Sequence, residues 1–344
     1  MKDSISGSRN PIDSVCVERR GPIGFLVLSQ PTTLNALTLD MVDALHAGLR
    51  ELEADADISL IIIRSDSDRA FCAGGDMKRI RQYCMNKDFE AVSRYFSKEY
   101  ALNLAIANCS KPYLALINGI AMGGGLGVSV HGRFRVVTEK AVIAMPETRI
   151  GFFPDVGASY FLPRLPSRCG YWLGLTSATV KGMQAVSTGL ATHHVESEHM
   201  EPLIQALQAA LQNDTGTIDN ADATVERCLA QFASSLQQAD DDAFLKVIET
   251  RARWFADDDL DAIRQRLESA ATDDAIHLLT LLNRASPYSL KITRDLFRDA
   301  HGLDLAACLK LEYATGQAAC RHPDLVEGVR AVLVDKDRNP SWLG

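Results

Sequence analysis

The amino-acid sequence predicts an α/β protein with a layered core in its first half and a helical C-terminal lobe. Short apolar segments alternate with glycine turns and helical stretches up to about residue 200, which is typical of sheets covered by helices. Beyond that point the apolar residues recur at helical spacing. We therefore expect a catalytic core over residues 1–200 and a helical region over residues 201–344 that packs on it.

The first elements are a hairpin, a helix and a buried strand. Cys16–Arg20 and Gly24–Ser29 alternate between apolar and polar residues around Gly21-Pro22, which predicts a β-hairpin. Thr38–Ala54 carries a helical stripe of apolar residues over a polar face. Ser59–Arg64 is short, apolar and rich in β-branched residues, so it predicts a buried strand.

Two glycine loops follow, each between a strand and a helix. The first loop, Ala70–Asp76, leads into a helical stretch that begins at Met77, and a long helix is expected over about residues 89–108. The strand Tyr113–Ile117 leads into the second loop, which contains the adjacent glycines 123–125 and opens a short helix to about Val130. Two further strands are expected at Phe134–Thr138 and Ala141–Met145.

The C-terminal lobe is expected to consist of amphipathic helices with several breaks. His199–Gln212 reads as a helix and Asn213–Ala221 as a polar loop. Further breaks are expected at the acidic stretches Asp240–Asp242 and Asp257–Asp259 and at Ser286-Pro287.

Composition and charge exclude several classes of protein. The chain has 344 residues and a net charge of -8, which argues against non-specific binding of nucleic acid. No apolar run approaches the roughly 20 residues of a membrane span, and Met1–Pro11 lacks the apolar core of a secretory signal. The eight cysteines are scattered, with no Cys-x-x-Cys pair and no zinc-like spacing, so we expect no metal site and a reducing compartment, the cytoplasm.

The two glycine loops together suggest an oxyanion hole. Glycines leave backbone N–H groups uncovered, and a helix N-terminus adds a positive field. Two such loops side by side can each direct one N–H group at a single oxygen that becomes negative during a reaction. Tight turns and close packing alone would also explain either loop.

Three carboxylates have unusual sequence surroundings. Glu147 directly follows a strand, Asp155 lies between aromatic residues and glycines, and Glu99 lies on the long helix before the second loop. A carboxylate among apolar neighbours loses hydration and acquires a raised pKa, which suits a general base or acid near neutral pH. The structural alternatives are a solvated helix charge for Glu99 and a turn or cap for Asp155.

Three other motifs are weaker evidence for a catalytic or binding site. The sequence around Ser129 begins like a nucleophile elbow, but His131 replaces its last glycine, so a structural role is favoured. Cys72 lies in the first glycine loop, where packing is favoured over nucleophilic attack. The spacing of the three glycines also differs from the G-x-G-x-x-G of dinucleotide-binding loops.

With these residues identified, the chain resembles the crotonase (enoyl-CoA hydratase/isomerase) superfamily over nearly its whole length. The shared superfamily pattern lies at residues 71–76 and 119–127. A longer set resembles the acyl-CoA thioester hydrolases of the superfamily: residues 129–132, 134–136, 138–140, 145–148, 151–157, 160–165, 289–293 and 327–337. The resemblance implies a ββα superhelix as the core.

The resemblance also implies roles for individual residues. The N–H groups of Gly75 and Gly124 would hold the thioester carbonyl oxygen, and Glu147 would be the acid/base carboxylate. Asp155 would be a second catalytic carboxylate, near the substrate's 3-hydroxyl and the reaction centre, and Glu99 would contact the substrate. The hydratases of the superfamily carry a second catalytic glutamate where this chain has Gly127, so hydration of a double bond by paired glutamates is disfavoured.

The implied activity is hydrolysis of 3-hydroxyisobutyryl-CoA or a close 3-hydroxyacyl-CoA, as in valine breakdown. CoA is then part of the substrate and no cofactor is expected; the chain is expected to form homo-oligomers, as relatives often do. An enoyl-CoA hydratase or isomerase, and a non-catalytic relative, stay open as alternatives. Lys78, Arg79 and Arg81 are candidates for holding the CoA phosphates.

Overall fold

A computed structural model describes residues 14–212, 218–234, 238–256 and 259–343. The chain forms two compact units, each assembled from three segments. Unit 1 comprises residues 1–75, 101–143 and 181–238, and unit 2 comprises residues 76–100, 144–180 and 239–344. The division expected at residue 200 stays a prediction. The N-terminal residues 1–11, expected to contain no secretory signal, lie outside the described residues.

The strands of the described chain have the following bounds: β1 Val15–Arg20, β2 Ile23–Leu28, β3 Leu60–Ser65, β4 Ala70–Cys72, β5 Tyr113–Ile117, β6 Ile120–Met122, β7 Phe134–Val137, β8 Val142–Ala144, β9 Val180–Lys181 and β10 His193–His194. They form a six-stranded sheet of order β1-β2-β3-β5-β7-β10 and a four-stranded sheet of order β4-β6-β8-β9. The expected hairpin is confirmed, because β1 and β2 pair antiparallel.

The helices have the following bounds: α1 Leu39–Ala54, α2 Met77–Met85, α3 Phe89–Ala107, α4 Gly124–Gly127, α5 Ala158–Phe161, α6 Cys169–Thr176, α7 Met183–Ser187, α8 Met200–Gln212, α9 Ile218–Phe232, α10 Gln238–Trp254, α11 Leu260–Ala270, α12 Asp273–Arg284, α13 Pro287–Asp299, α14 Leu305–Ala319 and α15 Pro323–Val329. A π-helical turn follows at Arg330–Val334.

The core follows a repeated strand–strand–helix pattern. β3, β5 and β7 pair in parallel within the first sheet, and the strand after each of them lies in the second sheet. α2 and α3 follow the first such pair of strands, and α4 follows the second. This arrangement is the expected ββα superhelix, and it makes the loops after β4 and β6 neighbours.

The interior of unit 1 lies between its six-stranded sheet and the helices α8 and α9. The apolar positions of the buried strands contact the stripe that the two helices present, including Leu203, Leu207, Val225 and Leu229. α1 also packs on the first three strands, where the Cβ of an alanine at position 24 would lie 2.5 Å from the Leu52 side chain. Burial of these side chains supplies the main stabilisation of the unit.

Unit 2 consists mainly of helices. α11 packs on α12, α6 packs on α12 and α13, and α15 packs on α2. Ser286 caps α13 through its side chain, and Pro287 occupies the first helical position. The expected break at Ser286-Pro287 is therefore confirmed.

Two expectations for the C-terminal half were wrong. Residues 218–221 belong to α9 and not to a polar loop, while residues 213–217 lie outside the described part of the chain. The acidic stretch Asp240–Asp242 lies inside α10. Asp259 does mark a boundary, because its side chain caps α11. Among the helices that the structure describes, none is long and apolar enough to cross a membrane.

Candidate active site

The first glycine loop of unit 1 is held in place by Asn35, a residue that was not expected from the sequence. The Asn35 amide donates to the carbonyl oxygen of Phe71 at 2.9 Å and to the Ser65 hydroxyl at 2.8 Å, and its oxygen accepts from the Gln30 N–H at 2.7 Å. The Leu37 N–H also donates to Gly74 at 2.8 Å. Asn35 is fully buried, and an asparagine in a polar loop carries no sequence signal for this role.

The two glycine loops touch without side chains between them. β4 and β6 pair in parallel, so the loops that follow them leave the sheet side by side. A Cβ at Gly74 would lie 3.6 Å from the Gly124 nitrogen, and one at Gly125 would lie 2.4 Å from the Cys72 carbonyl oxygen. Gly74 also has φ = +103°, which L-residues with side chains rarely adopt. Glycine is therefore required here for close approach of two backbones.

The N–H groups of Gly75 and Gly124 have no backbone acceptor among the described residues. Gly124 begins α4, which ends at Gly127, so the helix is shorter than the expected stretch to Val130. Because a helix of one turn has only a small macrodipole, α4 adds little to the positive field expected at its N-terminus. Stabilisation of a negative oxygen would therefore come mainly from the amide N–H groups themselves.

In unit 2, Glu147 lies on a tight turn packed against α15. It begins a 3-10 turn that ends at Ile150, and the residue is 7% exposed. A Cβ at Gly151 would lie 2.1 Å from the Asp324 carbonyl oxygen, and one at Gly328 would lie 2.3 Å from the Ile150 carbonyl carbon. These two glycines allow backbone contact that fixes the position of Glu147.

Asp155 lies in an aromatic environment of the same unit. The Tyr100 hydroxyl donates to its Oδ2 at 2.8 Å. Phe152 and Phe153 are fully buried, with ring centroids 4.5 Å apart, and Phe96 stacks on Phe152 at 5.5 Å. Burial raises the pKa of Asp155 to about 7, although the hydrogen bond from Tyr100 opposes that increase.

The structure brings Glu99 and Glu147 together with Asp155. Burial raises the pKa of Glu147 well above its usual range, and the charges of Asp155 and Glu99 add to the increase. Burial also raises the pKa of Glu99 well above its usual range, again with a contribution from Asp155. Within the described chain, Oε1 of Glu99 and Oε2 of Glu147 are buried without a hydrogen-bond partner. Glu99 is therefore not a solvated helix charge.

Glu312, on α14, is a fourth buried carboxyl group of this cluster and was not expected from the sequence. It accepts hydrogen bonds from the N–H groups of Gly157 and Ser159 and from the Ser159 hydroxyl. Burial raises its pKa to about 8. Its sequence surroundings, Lys-Leu-Glu-Tyr, are those of an ordinary exposed helix position, so only the packing of α14 reveals it.

Several other candidates have structural explanations. The Ser129 hydroxyl donates to the carbonyl oxygen of Gly125 at 2.8 Å, and the Cys72 thiol donates to that of Asn35 at 3.1 Å. Arg81 donates through Nε to the Val326 carbonyl oxygen at 2.9 Å, within unit 2. Lys78 and Arg79 are exposed, so they keep the availability that a phosphate contact requires.

Comparison with known proteins identifies the family of the chain. The sequence pattern of the family described as enoyl-CoA hydratase/isomerase matches residues 23–343. The chain belongs to the enoyl-CoA hydratase/isomerase family.

Curated members of this family are similar to the chain along almost its full length. The "3-hydroxyisobutyryl-CoA hydrolase, mitochondrial" of Bos taurus is 41% identical over 330 residues, which is 95% of this chain and 83% of the relative. The protein of the same name from Homo sapiens is 40% identical over 332 residues, which is 96% of this chain and 84% of the relative.

Solved structures of the family share the fold. An enoyl-CoA hydratase from Rhodobacter sphaeroides 2.4.1 has a TM-score of 0.83 and 34% identity, with 96% of this chain and 93% of that chain covered. A carnitinyl-CoA dehydratase from Mycobacterium thermoresistibile has a TM-score of 0.84 and 32% identity, with 96% and 91% covered. The expected crotonase-type fold is therefore confirmed, while the roles of individual site residues stay predictions.

Proposed function

We propose that this chain hydrolyses the thioester of 3-hydroxyisobutyryl-CoA, or of a close 3-hydroxyacyl-CoA, to the free acid and CoA, as a step of valine degradation. The observation that carries the proposal is the buried carboxyl cluster of unit 2, in which Glu147 and Glu99 each keep an oxygen without a hydrogen-bond partner in the described chain. Relatives about 40% identical over 95% of the chain are named as hydrolases of this thioester, which supports the same reading.

Thioester hydrolysis needs a base and a site for a developing oxyanion. A carboxylate with a raised pKa is a strong enough base to remove a proton from water near neutral pH, and Glu147 has that property. The water oxygen adds to the carbonyl carbon as its proton passes to Glu147, and the carbonyl oxygen becomes negative. The tetrahedral intermediate then collapses, the C–S bond breaks, and the proton on Glu147 passes to the CoA thiolate. In this proposal the Gly75 and Gly124 N–H groups stabilise the oxyanion, each by roughly 3–4 kcal/mol.

A second route uses the same groups. Glu147 attacks the carbonyl carbon directly, the C–S bond breaks and CoA leaves as the thiolate. Water then cleaves the mixed anhydride to the free acid and the Glu147 carboxylate, and the proton released is taken up by the thiolate. Both routes consume one water and yield the same products. Incorporation of ¹⁸O from labelled water into Glu147 during a single turnover establishes the anhydride route with attack of water at the side-chain carboxyl carbon, since activation of water by Glu147 exchanges no oxygen of the side chain.

The neighbouring carboxyl groups suit recognition of the substrate hydroxyl. Asp155 and Glu99 are buried, and an unfilled acceptor in such a place costs free energy unless a donor satisfies it. A 3-hydroxyl group supplies that donor, while an acyl chain without it leaves the acceptor unpaired. The proposal therefore includes a preference for 3-hydroxyacyl over unsubstituted acyl thioesters.

Glu147→Gln tests the assigned base. Glutamine has nearly the same shape but cannot accept a proton, so thiol release from 3-hydroxyisobutyryl-CoA is expected to fall by at least about 100-fold while acyl-CoA binding is retained. Release is followed with a thiol reagent and binding by calorimetry. Glu18→Gln is the matched control, because Glu18 is 3% exposed and pairs with Arg64 in unit 1, outside the cluster. Undiminished release by Glu147→Gln would reject the assignment.

Two alternatives are separated by substrate. Hydration or isomerisation of an enoyl-CoA is favoured by the similarity to the enoyl-CoA hydratase from Rhodobacter sphaeroides 2.4.1. It predicts loss of enoyl-thioester absorbance with a crotonyl-type substrate. Gly127 stands where the hydratases carry their second glutamate, which argues against it. A non-catalytic relative would turn over none of these acyl-CoA thioesters.

Location, assembly and cofactor use belong to the proposal as well. The eight free cysteines support a reducing compartment, and we propose the cytoplasm; the vertebrate relatives are named as mitochondrial. We also propose a homo-oligomer, to be tested by light scattering of the purified chain. Activity that survives dialysis against a chelator would support a reaction without metal or cofactor.

A further inference from the structure

We propose that Glu312 is a positioning residue that holds the Asp155–Ser159 turn in the conformation that places Asp155 beside Tyr100. The inference deepens the proposed function and rests on it, because Asp155 is there one of the two groups, with Glu99, that recognise the substrate hydroxyl. Every residue that carries the argument lies in unit 2.

Glu312 contacts the turn through both of its carboxyl oxygens. Oε2 accepts from the Gly157 N–H at 2.7 Å, and Oε1 accepts from the Ser159 N–H at 2.8 Å and from the Ser159 hydroxyl at 2.5 Å. These donors begin two residues after Asp155 and include the first turn of α5, whose N-terminal N–H groups have no helical partner. A single side chain on a distant part of the sequence therefore satisfies three donors of this turn.

The turn needs such support because its backbone is strained. Val156 has φ = +55° and Gly157 has φ = +87°. A left-handed conformation is a genuine outlier for a β-branched residue and persists only where the surroundings hold it. Val156 immediately follows Asp155, so relaxation of its φ would rotate the Asp155 side chain away from its present partner.

The same helix also lies against that partner. A Cβ at Gly316, one turn after Glu312 on α14, would lie 4.0 Å from the Tyr100 hydroxyl and 3.8 Å from the Phe153 ring. Tyr313 forms a hydrogen bond with Ser93 on α3, the helix that carries Tyr100. α14 thus positions both ends of the hydrogen bond between Tyr100 and Asp155.

Burial of the Glu312 carboxyl group has a large desolvation cost for a purely structural contact. Glu312 is fully buried, and among the described residues no Lys, Arg or His forms an ion pair with it. Burial raises its pKa to about 8, and the charge of Asp155 adds to the increase. An apolar side chain would fill this position with less desolvation, but it could not accept from three donors of the turn.

A double-mutant cycle tests whether Glu312 acts through Asp155. Glu312→Gln keeps the shape but turns a donor toward one of the N–H groups, so we expect kcat/KM for 3-hydroxyisobutyryl-CoA to fall at least about tenfold. The value for isobutyryl-CoA, which lacks the hydroxyl, should change little. In an Asp155→Asn background, the same substitution should have almost no further effect, because the group it positions is already lost.

A merely structural role would give a different pattern. Loss of folded protein lowers the rate with both substrates equally and adds to the effect of Asp155→Asn, and that outcome would overturn the proposal. The matched control is Asp324→Asn, because Asp324 is 1% exposed and accepts from Ser286 at 2.6 Å and from the Leu343 N–H at 2.9 Å. Asp324→Asn should lower the melting temperature without changing the ratio of kcat/KM for 3-hydroxyisobutyryl-CoA to kcat/KM for isobutyryl-CoA.

Two further measurements separate this inference from the proposed function. If Glu312→Gln does not fold, Ser159→Ala is used instead, because it removes only the hydroxyl donor. It should also lower the ratio of kcat/KM for 3-hydroxyisobutyryl-CoA to kcat/KM for isobutyryl-CoA, and an unchanged ratio counts against the proposal. If the parent chain releases no thiol, the proposed function fails, and amide hydrogen exchange then decides on Glu312. Faster exchange confined to Gly157 and Ser159 in the Glu312 variant supports its contact with the turn, and unchanged exchange overturns it.

Discussion

Gly125→Ala provides the sharpest test of the proposed amide pair. The added methyl group would lie 2.4 Å from the Cys72 carbonyl oxygen and 3.1 Å from the Cys72 Cβ. A carbon–oxygen contact needs about 3.3 Å, so the two loops must separate by about 0.9 Å. Both loops meet through backbone atoms at this point, and no flexible side chain can move aside instead.

That separation is large compared with the tolerance of a hydrogen bond. A donor at 2.9 Å from the oxyanion would move to about 3.8 Å, where the hydrogen bond is lost. Loss of one oxyanion donor lowers kcat by about 10²–10³, or roughly 3–4 kcal/mol. We therefore expect Gly125→Ala to lower kcat about 100-fold with little change in KM, because the amides act mainly on the transition state.

Thiol release at saturating 3-hydroxyisobutyryl-CoA measures the effect, with Gly48→Ala as the control. Gly48 lies on α1 in the same unit, and an added Cβ there meets side chains of Val17 at 2.7 Å and Leu26 at 2.8 Å. Both variants should lose stability, by about 1–3 kcal/mol, but only Gly125→Ala should lose turnover. A folded Gly125→Ala variant with nearly parental kcat would refute the role of the paired loops.

Two predictions concern pH. Glu147 must be ionised to act as a base, and burial raises its pKa, with added repulsion from Asp155 and Glu99. We therefore expect kcat to keep rising with pH through the neutral range. A plateau from about pH 5 upward would contradict the assignment. Burial raises the pKa of Asp155 from 3.8 to about 7 and that of Glu312 from 4.5 to about 8, so the folded state holds these protons more tightly than the unfolded state. Their contribution to the free energy of unfolding is complete below about pH 4 and is lost as the pH rises through 7 to 8. Urea unfolding should therefore show a less stable chain at pH 9 than at pH 5. Glu312→Gln should reduce this difference in stability.

Much of the local structure could be predicted from the sequence because short-range patterns decide it. The strand Tyr113–Ile117 has the expected bounds, and α1 begins after the Thr38 cap as its apolar stripe indicates. Prediction from local patterns was wrong where a polar stretch of sequence was expected to be a break but is helical. Asp240–Asp242 are charged yet helical, since an acidic residue near a helix N-terminus is stabilised there and does not break the helix.

The candidate site was partly predictable for the same reason. Glu147, Asp155 and Glu99 were selected by their surroundings, and the structure places all three in one buried cluster. Asn35 and Glu312 were not selected, because their function depends on which distant backbone groups they meet. Nothing within a few residues of either position indicates those partners.

The sequence by itself determined the alternation of strands, glycine turns and helices, and it identified the carboxylates that apolar neighbours surround. Only the tertiary structure decided that Gly74 and Gly125 each lie against the other loop, and that a carboxyl group on α14 holds the turn after Asp155. The reason is physical. Local propensity acts over one or two turns of chain, whereas close backbone approach and the satisfaction of buried donors depend on segments that meet only after folding.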